Sequence, residues 1–151
     1  MPDPEIFTPF LGFFIMLIFP VVFIIFWVGI SFLLAHLGGW ARLAQYYEVR
    51  SPFAGQKWHM QSGRMGMTNY KGCLTVGVNE SGLYLAVLPI FRAGHPPLFI
   101  PWYDITTAPS KQFFMSYLDF TFARVPSLRL RLPERFGNMV LSHRTDMSSN
   151  R

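Results

Sequence analysis

Charge is scarce in this chain and badly distributed. Only 14% of its 151 residues are Asp, Glu, Lys or Arg, against ~25% in an ordinary soluble domain, and none of them lies between Glu5 and Arg42. Cysteine is almost missing as well: Cys73 stands alone, which excludes an intramolecular disulfide framework and a cysteine-built zinc site. The four histidines, His36, His59, His95 and His143, are scattered, with no pair at i, i+4 and no carboxylate at ligand spacing, so no metal and no cofactor is expected. Dense basic runs are absent too. With 51% apolar residues and 16 phenylalanines, the composition excludes a disordered chain and a nucleic-acid-binding tail.

What the chain has instead is a long apolar run. Across residues 10–34, twenty-one of twenty-five positions are apolar, the exceptions being Gly12, Pro20, Gly29 and Ser31. At ~1.5 Å per residue this run reaches ~37 Å, enough for a hydrocarbon core of ~30 Å with some tilt. A cleaved signal peptide would begin with a basic segment, whereas here Asp3 and Glu5 precede the run. The expectation is a single-pass anchor over residues 1–37. Pro20 removes a mid-span hydrogen bond, which predicts a kink. All 13 Lys and Arg follow the span, starting with Arg42, Arg50 and Lys57. Basic flanks favour the cytoplasmic side, so the N-terminus is expected outside and the rest of the chain inside. Thirteen basic residues against six acidic ones after the span give that part a formal +7, suited to anionic membrane lipids.

Residues 38–55 read as a connector. In the stretch 40–47, Trp40, Leu43, Ala44 and Tyr47 share one helical face. Trp40, Arg42, Tyr46 and Tyr47 are expected at the membrane interface, where aromatic and basic side chains gather; packing of the same face on the following domain is the alternative. Residues 51–55, with Pro52 and Gly55, mark the domain boundary.

Beyond it the period changes to two. Leu74, Val76 and Val78, then a turn at residues 79–82, then residues 83–88 predict a hairpin. Leu118, Phe120 and Phe122 alternate with polar residues, as do Leu128, Leu130 and Leu132 with Arg129 and Arg131, predicting half-buried antiparallel strands with a wet face. Residues 58–62 and 98–105 are further strand candidates, residues 134–141 a short helix, and 142–151 a polar, flexible tail. The expected fold is thus a membrane α + β arrangement: one N-terminal transmembrane helix, then a small antiparallel β-barrel or sandwich over residues 56–141 with a short C-terminal helix.

Residues 75–85 (TVGVNESGLYL) followed by 98–105 (LFIPWYDI) resemble the core of pleckstrin-homology-like and GRAM-like domains. The stretch 94–102 (GHPPLFIPW) is also similar to one found in short bacterial single-span membrane proteins of unassigned function. The resemblance implies a seven-stranded split barrel capped by a C-terminal helix. The first hairpin here carries no basic cluster of the kind that would hold a phosphoinositide.

The catalytic inventory is thin. Cys73 heads an apolar strand and reads as a small hydrophobe. Asp104 and Asp119 would act as an acid–base pair only if the fold joined them. In residues 92–102, three prolines stiffen the chain, and Arg92, His95 and Trp102 are types enriched in recognition sites; the same stretch also reads as a rigid loop with Trp102 plugging the core. Together with Arg129 and Arg131 these are the binding candidates, with no catalytic residue among them. The expected function is a non-enzymatic, membrane-tethered binding or scaffold module, partnered by membrane lipids and a membrane protein. The alternative is an accessory subunit of a larger membrane complex, favoured by the Phe-rich span. A small membrane hydrolase or redox enzyme is a third reading.

Overall fold

The structure, a computed structural model, describes residues 4–149, with side chains over 9–145. Asp3 of the orientation argument and residues 150–151 of the expected tail lie outside that range. Helix α1 (Pro4–Leu37) continues unbroken through Pro9 and Pro20. Its stretch Pro9–Leu37, 29 residues, is long and apolar enough to cross a membrane, and its side chains over residues 9–26 are exposed. Near its end the helix turns a face to the rest of the chain: Ser31 and Ala35 are buried. Gly38 and Gly39 then stop it. Gly39 has φ +78°, and a Cβ there would sit 2.5 Å from Leu128 Cδ1; only glycine meets both demands.

Helix α2 (Trp40–Tyr47) starts at once. Its apolar face is buried against the β domain, with Trp40, Leu43 and Tyr47 in the common core. The expected interfacial placement of Trp40 and Tyr47 is therefore corrected: both point inward, and only Arg42 and Tyr46 are exposed. The stripe suits core or interface equally, and the docking of α1 on the domain decides for the core.

Seven strands follow, β1 (Gln56–Met65), β2 (Thr68–Val78), β3 (Gly82–Val87), β4 (Leu98–Pro101), β5 (Ile105–Gln112), β6 (Met115–Phe122) and β7 (Val125–Pro133). They form one antiparallel sheet in the order β4-β3-β2-β1-β7-β6-β5. The expected barrel or sandwich is realised as a continuous open sheet: among the described residues no pairing joins its edges, β4 and β5, which meet through the turn Trp102–Asp104. Strand β1 is the shared element. It pairs with β2 along its length, shifting register between Trp58 and Gly63, but meets β7 only at Arg64↔Arg131 and Met65↔Leu130. Leu74, Val76, Leu83, Leu85, Leu98 and Ile100 from one half share a single core with Phe120, Phe122, Leu128, Leu130 and Leu132 from the other.

Edge β4 is covered by the connector, where Val49 N–H donates to Pro97 O at 2.9 Å; covering an edge removes a template for unwanted pairing. Edge β5 tolerates Pro109 because an edge strand has a spare N–H side. Helix α3 (Glu134–Ser149) is twice the expected length and takes up most of the stretch expected as a tail. Its extension has partners: His143 stands edge-on to Trp58 at 5.0 Å and Arg144 lies over the Trp102 ring at 5.1 Å. Gly137 lets the helix approach Leu118, whose Cβ would be 2.8 Å from an added methyl.

Candidate functional site

The proline-stiffened stretch is held between helices and sheet rather than presented to solvent. His95 is buried. Its Nδ1 lies 3.2 Å from the Ala93 carbonyl and its Nε2 3.0 Å from the Tyr70 hydroxyl. A carbonyl only accepts, so Nδ1 carries the proton and Nε2 accepts from Tyr70. Trp40 stacks edge-on against His95 at 5.3 Å and donates its indole N–H to Pro96 O at 2.8 Å. Burial holds the imidazole below its ordinary pKa and pushes the Tyr70 phenol well up, so both groups are neutral. Arg92 stays exposed, while Trp102 is buried and donates to Asn79 O at 2.9 Å. The structure thus does not gather Arg92, His95 and Trp102 into one site. Because His95 is depressed, its contribution to stability is present above ~6.5, the unfolded value, and is lost as pH falls towards the folded value. Urea titrations should show the native chain losing up to ~1.4 kcal/mol per pH unit below that point, and His95→Gln lacking that slope.

The two candidate acids are likewise kept apart and already engaged. Asp104 Oδ2 accepts from the Tyr47 hydroxyl at 2.9 Å, and that hydroxyl accepts the Arg124 N–H at 3.3 Å. Burial and the Asp104 hydrogen bond raise the Tyr47 pKa. Asp119 is buried on β6 and held by Arg131. Burial also raises the Cys73 thiol, which leaves it a poor nucleophile.

Chemistry accumulates instead on the outer face of the β1–β7 junction. On β7 the inward turn of Leu128, Leu130 and Leu132 leaves Arg129 and Arg131 outward. Pairing sets Arg64 directly beside Arg131, a like-charge juxtaposition that needs compensation. Asp119 supplies it: Arg131 donates Nε to Oδ1 at 2.8 Å and Nη2 to Oδ2 at 3.0 Å, and Nη1 to Gln112 at 3.0 Å. The arginine's hydrogen bonds pull the Asp119 carboxyl below its usual range. Arg131 is thus spent on the fold, not free on a wet face as its alternation with leucine suggests. Arg64, Lys71, Arg129 and Arg135 are exposed and make no ion pair among the described residues.

A groove of about 630 Å³ runs here, lined among others by Ser62, Arg64, Lys71, Tyr117, Arg131 and Arg135; Arg129 lines a smaller hollow that shares Arg64 and Arg131 with it. Arg64 and Lys71 are set close by the β1–β2 hairpin, and the long-range β1–β7 pairing adds Arg131 and, at the start of α3, Arg135. No group of three or more His, Cys, Asp or Glu able to hold a metal ion occurs among the described residues. Comparison with known protein families, curated proteins and solved structures gives no match for this chain.

Proposed function

We propose that the chain is a membrane-tethered, non-enzymatic binding module: α1 anchors it, and the groove between β1, β7 and α3 takes an acidic segment of a membrane-protein partner. The observation that carries this reading is the groove itself, a concavity lined by Arg64, Lys71 and Arg135, none of which makes an ion pair among the described residues, against a single acid, Glu134. Arginine forks and a tyrosine ring are suited to carboxylates presented on a peptide. The resemblance to pleckstrin-homology-like domains is supported by strand order, by the single shared strand β1 and by a closing C-terminal helix. Placement of the domain on the cytoplasmic side rests on the concentration of Lys and Arg after the span.

A photo-crosslinking residue at position 71, activated in intact cells, should give one discrete membrane-protein adduct. Arg64→Glu combined with Arg135→Glu should abolish it, and Arg50→Glu, on the connector, should not. An adduct indifferent to the groove charges would sink the proposal. A second reading, the accessory subunit, draws on the ring ladder Phe19–Phe23–Trp27, stacked at 6.1 Å steps along α1. Native mass measurement in mild detergent separates the two, since a lone 17.4 kDa species leaves no room for a permanent complex.

A further inference from the structure

We infer that the tip of the β5–β6 hairpin, Phe113-Phe114-Met115, is a second membrane contact that enters the bilayer crossed by α1. The inference rests on the reading of α1 as a span. Phe113 is 90% exposed, Phe114 wholly so and Met115 62%, the most exposed aromatic pair on the β domain. Gln112 pairs with Met115, so the loop has two residues, a length whose favoured turns call for Gly or Asn where φ is positive. Phe113 occupies that place with φ +56°. Water offers no return for a phenylalanine held in a strained turn and stripped of neighbours; a hydrocarbon interface does.

The fold also puts the tip on the appropriate side. Traced from its C-terminal end, α1 passes Thr68, whose hydroxyl donates to Leu34 O at 3.2 Å, and then Ile90, whose carbonyl accepts from Trp27 Nε1 at 3.1 Å. It therefore leaves β2 at Thr68 and reaches the loop after β3 at Ile90, a loop tied to Cys73 of β2 by the Leu88 N–H, two residues before Ile90. Lys71 lies on β2 between Thr68 and Cys73, and one groove joins Lys71 and Ser62 to Gln112 and Met115 at the base of the tip. The tip and Ile90 thus stand on the side towards which α1 rises.

The length of α1 sets the level of the bilayer. Twenty-nine residues reach ~43 Å, ~13 Å more than a hydrocarbon core needs. The surplus is the C-terminal end, which docks on the domain along its Ser31 and Ala35 face while Ile30, Phe32, Leu33 and Leu37 stay exposed. We set the boundary near Trp27, an interfacial residue type whose indole N–H is held by Ile90 O. Ile90, 60% exposed, lines one apolar hollow with Phe23, Ile24 and Trp27 and accepts the Trp27 indole N–H, so it sits at the same level. Lys111, next to the tip and outside the groove, then falls among the headgroups, as a cation beside an inserted apolar wedge does.

The test uses the full chain with Cys73→Ser, reconstituted in vesicles of equal parts phosphatidylcholine and phosphatidylglycerol. An environment-sensitive fluorophore is placed through Phe114→Cys, Ile24→Cys or Ser81→Cys, the last in the turn beside Trp102. Lipids carrying acyl-chain quenchers should quench positions 24 and 114 to a similar degree, several-fold more than position 81. Quenching at 24 but not at 114 would overturn the inference and leave the span intact. Quenching at neither would overturn the span itself. A parallel urea melt of each labelled chain confirms that the domain is folded in all three.

Discussion

Trp40→Ala should unfold the β domain more readily than any other change in the connector, at a cost of ~3–5 kcal/mol, the range for truncating a buried aromatic. Trp40 is fully buried, touches the rings of Tyr70 and His95, and donates to Pro96 O. Its removal leaves a void and an unpaired carbonyl together. Tyr46→Ala, on the exposed side of the same helix, should stay within ~0.5 kcal/mol. Urea denaturation of the full chain in detergent measures both. Equal losses would mean that α2 is not part of the folded core.

Leu130→Ala should be nearly as severe, ~2–5 kcal/mol, a large share of the ~5–15 kcal/mol that holds a domain together. Leu130 is fully buried at the β1–β7 crossing, paired with Met65 on one side and Phe120 on the other. Arg129→Ala, next in sequence but exposed, should fall within ~0.5 kcal/mol. Arg131→Ala should lie between them, at ~1–3 kcal/mol, because it strands a buried carboxylate on Asp119. Asp119 is depressed by that arginine, so its stabilisation is present above the ordinary carboxylate pKa of ~3.9 and fades as pH falls through the folded value. The acid limb of a stability–pH curve should therefore flatten in Arg131→Ala and remain in Arg129→Ala.

How legible these features are in the sequence depends on whether their cause is local. The apolar run across residues 10–34 declares itself by length and composition alone, and the leucine–arginine alternation of β7 does so because burial pattern and chain period coincide there. Strand β5 does not. Its residues, from Ile105 to Gln112, include Thr106, Thr107, Pro109, Ser110 and Lys111 and show no apolar alternation, since an edge strand with two wet sides needs none. The direction of Trp40 and Tyr47 is illegible for a different reason: an amphipathic face fits a lipid interface or a protein core equally well, and only the tertiary docking of α1 chooses. Residues 142–149 look like a tail because their hold on Trp58 and Trp102 runs through aromatic contacts far away in sequence. The groove is the least legible of all, since Arg64 and Arg131 become neighbours only through a two-residue pairing.

The Gly38-Gly39 corner carries a mechanical consequence. Two residues separate α1 from α2, and both are buried, while Thr68, Ile90 and Gly94 grip the last three turns of α1. A tether of this kind has no swivel. On the proposed reading of α1 as a span, tilt or roll imposed by the lipid is transmitted to the domain like torque through a keyed shaft, and the groove keeps a fixed bearing to the plane of the membrane. For the membrane partner proposed above, encounter would then be a search over position and heading alone, with the orientational entropy that a loosely leashed domain would lose on binding already surrendered during folding.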